Sequence, residues 1–156
     1  MAQIQYAAST GATPFTSTTA VQTVGAIVNA ATDCGVQLKK YRLAYNGVTA
    51  TNPPVTVRFF TTGNTTAGTS TSLTVTQVSG RTLTLANITA AGGYTAEPTT
   101  KAYSGDSFLL TPNGGTVIYD FPLGDEPDIG TAATIGLEHT ASVAVGTEVS
   151  LWFTRI

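Results

Sequence analysis

Apolar and polar residues alternate along this chain in short runs, and Gly, Asn and Pro punctuate the runs at close intervals. A repeat of two sends successive side chains to opposite faces of an extended backbone, so each run predicts a strand with one apolar face. In Val36–Tyr45 (VQLKKYRLAY) the alternation sets Tyr41, Leu43 and Tyr45 on one face and Lys40 and Arg42 on the other. That run stops at Asn46-Gly47, a pair suited to a tight turn with positive φ at both central positions. In residues 55–60 (VTVRFF), Val55, Val57 and Phe59 point inward while Thr56, Arg58 and Phe60 point outward.

Three hairpins are expected further along. Residues 71–78 and 81–85 flank Ser79-Gly80, residues 107–110 and 116–121 flank a Pro-Asn-Gly-Gly turn, and residues 134–139 and 147–155 flank Val145-Gly146. Upstream, residues 4–6 and Val21–Asn29 read as strands, although the alanines of residues 24–31 would tolerate a helical turn. Residues 61–72 (TTGNTTAGTSTS) read as an exposed low-complexity loop. The expected fold is all-β, a single jelly-roll-like antiparallel β-sandwich of roughly eight to ten strands. Residues 1–20 are assigned to an extended N-terminal arm or edge strand, and residues 21–156 to the sandwich.

Composition reinforces this picture. Thr occurs 31 times, Ala 20 and Gly 16, while charged residues make up only 10% of the 156. Soluble domains typically carry about 25% charged residues. Thr and Val favour strands, and the usual helix formers are scarce. A net charge of −2 gives no basic footprint for nucleic acid. No apolar run approaches the ~20 residues that span a bilayer as a helix. A lone cysteine, Cys34, forms no internal disulfide framework. The opening MAQIQYAASTG shows no secretory pattern, so synthesis in a reducing cytosol is expected.

Catalytic constellations are hard to assemble from these residues. His139 is the only histidine and sits beside Glu138 in an expected strand, where the two point to opposite faces. One His and one Cys make a zinc site improbable, and no cofactor motif is present. The acidic segment 124–130 (GDEPDIG) is the best chemical candidate, with Asp125, Glu126 and Asp128. It suits an exposed turn or an interface for basic residues, a cation site, or, least, a pair of glycosidase carboxylates. The chain is therefore read as binding rather than catalytic.

Two features point to adhesive surfaces. If Val36–Tyr45 pairs with residues 55–60, then Lys40, Arg42 and Arg58 share an outward face, suited to an acidic partner such as the acidic segment of a neighbouring copy. Trp152 faces outward with Glu148, Ser150 and Thr154, as Phe60 does in its own strand, and an outward Trp is a typical interface anchor.

These segments together resemble the small head proteins of tailed bacteriophages and prophages. The likeness covers most of the chain and rests on an early strand like residues 24–30, the stretch VQLKKYRLAYNGVTATNPPVTVRFF (36–60), the turn YDFPLGDEP (119–127) and a final Val- and aromatic-rich strand. The resemblance implies a capsid decoration, or cement, protein: a jelly-roll homotrimer at threefold or quasi-threefold positions, binding the major capsid protein. It implies residence on the capsid exterior of the virion after synthesis in a bacterial cytoplasm, with no cofactor, metal, nucleic acid or membrane partner. The alternative is a carbohydrate-binding module or a receptor-binding fibre head, with Trp152, Tyr94 and Tyr103 stacking on sugars.

Overall fold

The computed structural model describes residues 4–11, 13–17, 20–49, 51–64, 68–81 and 85–156. Twelve strands run through them: β1 Gln5–Ser9, β2 Phe15–Thr16, β3 Val21–Asn29, β4 Val36–Tyr45, β5 Val55–Gly63, β6 Thr69–Ser79, β7 Ile88–Ala96, β8 Ala102–Leu110, β9 Thr116–Asp120, β10 Asp128–Ile129, β11 Ala133–Thr140 and β12 Gly146–Arg155. Every pairing is antiparallel. The order is β10-β4-β12-β1-β6-β7-β3-β11-β5-β8, with β9 also on β4 and β2 on β12. The all-β expectation stands, but the strands exceed the eight to ten expected and form one continuous curled sheet.

β6 makes the curl. Its first residues, Thr69 to Leu73, pair with β7, and the rest, Thr74 to Ser79, pair with β1. One long strand thereby serves two halves of the sheet. The first half holds β1, β2, β4, β9, β10 and β12, and the second holds β3, β5, β7, β8 and β11. β1 lies between β12 and β6, so residues 5–9 are an interior strand of the sheet.

The interior is filled from both halves. Tyr6, Leu38, Leu43, Leu151 and Phe153 of the first half join Ile27, Val57, Ile135 and Leu137 of the second in one buried cluster. Two bulges keep the apolar face turned inward. Trp152 pairs with Lys40 and Phe153 with Leu38, which leaves Lys39 as an extra residue in β4. Leu137 pairs with Gly25 and Glu138 with Thr23, which leaves Val24 extra in β3. An inserted residue resets the alternation locally, so Val36 and Leu38 stay inside despite two successive lysines. Residues 24–31, where a helical turn was tolerable, are extended through Asn29 because β7 and β11 bond to both edges.

Two of the three expected hairpins do not form. β8 bonds to β5 and β9 to β4, so residues 111–115 carry the chain from one half of the curled sheet to the other. β11 likewise lies between β3 and β5, whereas β12 lies between β1 and β4. The proposed partner of β6 falls partly on residues 82–84, outside the described residues. Turn signals located where strands end, but burial decided which strands met. Val36–Tyr45 and residues 55–60 also lie in opposite halves.

Asn46-Gly47 is not a positive-φ turn; neither residue is among those with positive φ. Gly47 is required for another reason: its N–H donates to the Pro112 carbonyl, and a Cβ there would sit 2.5 Å from that oxygen. The loop anticipated at residues 61–72 is largely strand, since β5 runs to Gly63 and β6 begins at Thr69. Thr is β-branched and fits a pleated, half-exposed surface.

Gly25 sets the spacing between the halves. A Cβ at this position would lie 2.9 Å from Val149 Cγ2, so only hydrogen fits where β3 faces β12. Gly25→Val is expected to overpack this contact and lower stability by about 1–3 kcal/mol. A urea midpoint unchanged from wild type would show that the halves separate without cost.

Candidate functional site

The basic residues singled out in the sequence are distributed over both outer faces and are matched within the chain. Lys40 and Arg42 lie on the outside of the first half. Lys40 Nζ is 3.3 Å from an Asp120 oxygen and 5.4 Å from the centre of the Trp152 ring, and Arg42 is 2.7 Å from Glu148. Trp152 therefore faces outward as expected, half-buried beside its cross-strand neighbours Lys40 and Ala7. Arg58 belongs to the other half, so the shared basic face does not exist.

Arg58 belongs instead to a buried ionic cluster around Glu138. One Glu138 oxygen accepts from Arg58 at 2.6 Å; the other accepts from Lys101 at 2.6 Å and from the Tyr103 hydroxyl at 3.1 Å. Lys101 also reaches Glu97 and Thr23, and its ammonium lies 4.6 Å above the Phe60 ring. Arg58 stacks at 4.1 Å from the Tyr103 ring centre. Phe60 thus leaves the interior on the Arg58 side, as alternation required, yet it is buried rather than exposed. The segment from Glu97 to Tyr103 lies over it. Burial alone would raise the Glu138 pKa, but Lys101 and Arg58 overcome this and hold it below the ordinary carboxylate range. With both oxygens engaged and the charge fixed, Glu138 is poorly suited to proton transfer.

His139 points the opposite way. Its Nδ1 lies 3.0 Å from the Tyr45 hydroxyl, and its buried Nε2 has no hydrogen-bond partner among the described residues. Burial pushes the imidazole down to about 4, although Glu138 pulls upward, so the ring is neutral at physiological pH. Burial also raises the Tyr45 hydroxyl pKa.

In the acidic segment, Glu126 lies 3.0 Å from Lys39 Nζ and accepts from the Gly124 N–H at 2.6 Å. Lys39 and the Gly124 N–H hold its carboxyl below the usual range. The bulge that extrudes Lys39 is what presents it to Glu126. Asp125 and Asp128 are exposed, and among the described residues neither has an ion-pair partner. Among the described residues no three His, Cys, Asp or Glu side chains gather as metal ligands.

Sequence reasoning missed a concave, aromatic-lined surface. Opposite β6 the curled sheet does not close: β8 ends one side, and β9 and β10 end the other. Between these edges lies a groove of about 610 Å³, with Tyr41, Phe59, Phe108, Tyr119 and Phe121 among its lining residues. Tyr41 is the hub of this aromatic group, with ring centres of Phe59 at 4.9 Å, Tyr119 at 5.7 Å and Phe121 at 5.9 Å. Of the groove's lining residues, Leu109 and Tyr119 are 67% and 43% exposed. Ile118 is also exposed but alternates to the outer face beside Arg42. The signal in sequence was the aromatic turn at residues 119–121, but its facing wall, Phe59 and Phe108, comes from the other half.

The three aromatics of the sugar-binding alternative are not brought together. Tyr94 is buried with Ala26 and Ala91, Tyr103 stacks on Arg58, and Trp152 lies on the first half. No family model matches this chain, and no curated protein or solved structure matches it either.

Two predictions follow from the buried polar groups. Glu138→Gln should cost roughly 3 kcal/mol in a urea titration, because Lys101 keeps a buried charge with its main counter-ion reduced; a loss under 1 kcal/mol would assign the cluster to the solvated surface. His139 is harder to protonate folded than unfolded, where its pKa is near 6.5. Stability is accordingly complete above about pH 6.5 and falls by up to about 3 kcal/mol as pH drops toward 4. The Tyr45→Phe/His139→Leu double variant should flatten that part of the profile, and a profile as steep as wild type would assign the acid loss to other groups.

Proposed function

We propose that this chain is a structural, protein-binding domain that decorates and stabilises a bacteriophage capsid, seated as a homotrimer on the major capsid protein at threefold or quasi-threefold positions. The observation that carries the docking part of the reading is the open seam: two unpaired strand edges flank an aromatic groove, with Leu109 and Tyr119 exposed in its lining. Exposed apolar residues gathered in this way mark interaction surfaces. Conversely, the polar clusters are closed on themselves, and the Glu138 cluster and the His139–Tyr45 pair serve the fold. The capsid itself, the trimer and the virion location come from the resemblance to phage head proteins, as does the finer reading of the curled sheet as a jelly roll.

The physical logic is additive. A cement protein need only favour the assembled shell over its parts, and many modest contacts repeated over a closed lattice achieve that. Light scattering is expected to give three times the 16.0 kDa chain mass. The protein should pellet with empty phage heads, and Leu109→Lys/Tyr119→Lys should abolish pelleting. A monomer that stays in the supernatant overturns the proposal, and saccharide binding on a glycan array that is lost with Trp152→Ala would favour the fibre-head alternative.

A further inference from the structure

The groove is one part of a longer channel. A second hollow of about 130 Å³ shares Phe59, Ser104 and Pro127 with the groove, and a third of about 400 Å³ shares Thr61 and Ala102 with the second. The three follow one another along β8, whose nine residues extend over about 30 Å. One wall is the free edge of β8, and the other is formed by β9 and the segment leading to β10.

The channel has chemical polarity. Its groove end, near the turn at residues 111–115, is aromatic, with Tyr41, Phe108 and Tyr119. Asp125 lines the groove and Asp128 lines the third hollow, and these two carboxylates have no ion-pair partner among the described residues. Lys39, Lys40, Arg42, Arg58, Lys101 and Arg155 are already matched with acids of the same chain. Unbalanced negative charge thus marks an otherwise apolar cleft.

We infer that this channel receives an extended polypeptide segment of the partner, with apolar side chains at alternate positions for the aromatic end and a Lys or Arg for Asp125 or Asp128. The inference rests on the docking reading of the seam and specifies its occupant. Length favours a strand over a compact ligand. Free edges favour it too, because an added strand satisfies backbone donors and acceptors that a small apolar molecule leaves unmet. Alternate side chains of a strand recur every ~7 Å, so several reach the channel floor while the others face solvent.

The test is selection of a random peptide display library on the immobilised full chain, counter-selected on the Leu109→Lys/Tyr119→Lys variant. Leu109 is exposed, while Tyr119→Lys gives up ring contacts with Tyr41 and Phe121, so the variant should keep a single cooperative urea transition at a somewhat lower midpoint. Enriched peptides are expected to show alternating apolar residues with Lys or Arg toward one end. Synthetic versions should bind wild type at least about tenfold more tightly than the variant, the worth of one good contact. Asp125→Lys/Asp128→Lys should weaken them by a similar factor, and hydrogen exchange should slow in β8 or β9 when they bind. Acidic or helix-patterned consensus peptides, equal binding to the variant, or binding of fatty acids with no peptide enrichment would each overturn the inference. Heads that pellet the protein while no peptide binds overturn the strand occupant alone; peptides that bind while heads do not pellet the protein leave the occupant standing and remove the capsid reading.

Discussion

Backbone hydrogen bonding along β6 is the constraint from which the rest of the molecule follows. A strand has two edges and a limited length, and β6 spends successive parts of that length on two different sets of neighbours. Sharing one strand forces the halves to face each other on that side. It also leaves the opposite side open, because β8 and the β9–β10 side lie at opposite ends of the path. The core fills the space between the halves, and Gly25 allows β3 and β12 to approach without a side chain between them. The aromatic groove is therefore a by-product of how the sheet curls.

The outer face of the second half shows how a sheet with few charges uses them. Glu138, Arg58, Lys101 and Glu97 form a layer above the sheet, with Tyr103 stacked on Arg58 and Phe60 beneath Lys101. Their separation in sequence means that the cluster ties the Glu97–Lys101 segment, β5 and β11 together across strand boundaries. Such clusters give less net stability than apolar packing, but they penalise any arrangement that strands one member.

Much of the strand content was legible because alternation is local. β3 and β4 fall where the pattern placed them, and β12 begins one residue early. β7 was illegible because its small residues, Ala90, Ala91 and Gly92, carry no alternation; at Gly92 a Cβ would lie 2.9 Å from the Val24 carbonyl oxygen. Pairing was the harder problem. Asn-Gly and Gly-Gly signals mark chain reversals, yet residues 111–115 cross between halves. Phe60 was read correctly for direction and wrongly for exposure, because nothing local announces that Lys101 will cover it. The groove was invisible for the same reason, since Phe59 and Tyr119 meet only once the sheet has curled.

The internal matching of the cations affects how the protein finds its partners. With six of seven positive side chains held against acids of the same chain, the molecule projects little long-range field. Encounters are then governed by diffusion and shape, at rates near the roughly 10⁵–10⁶ M⁻¹s⁻¹ of unsteered association, with little dependence on ionic strength. A surface of this kind suits slow accumulation on a target already assembled and present in many copies, where occupancy depends on how long each molecule stays.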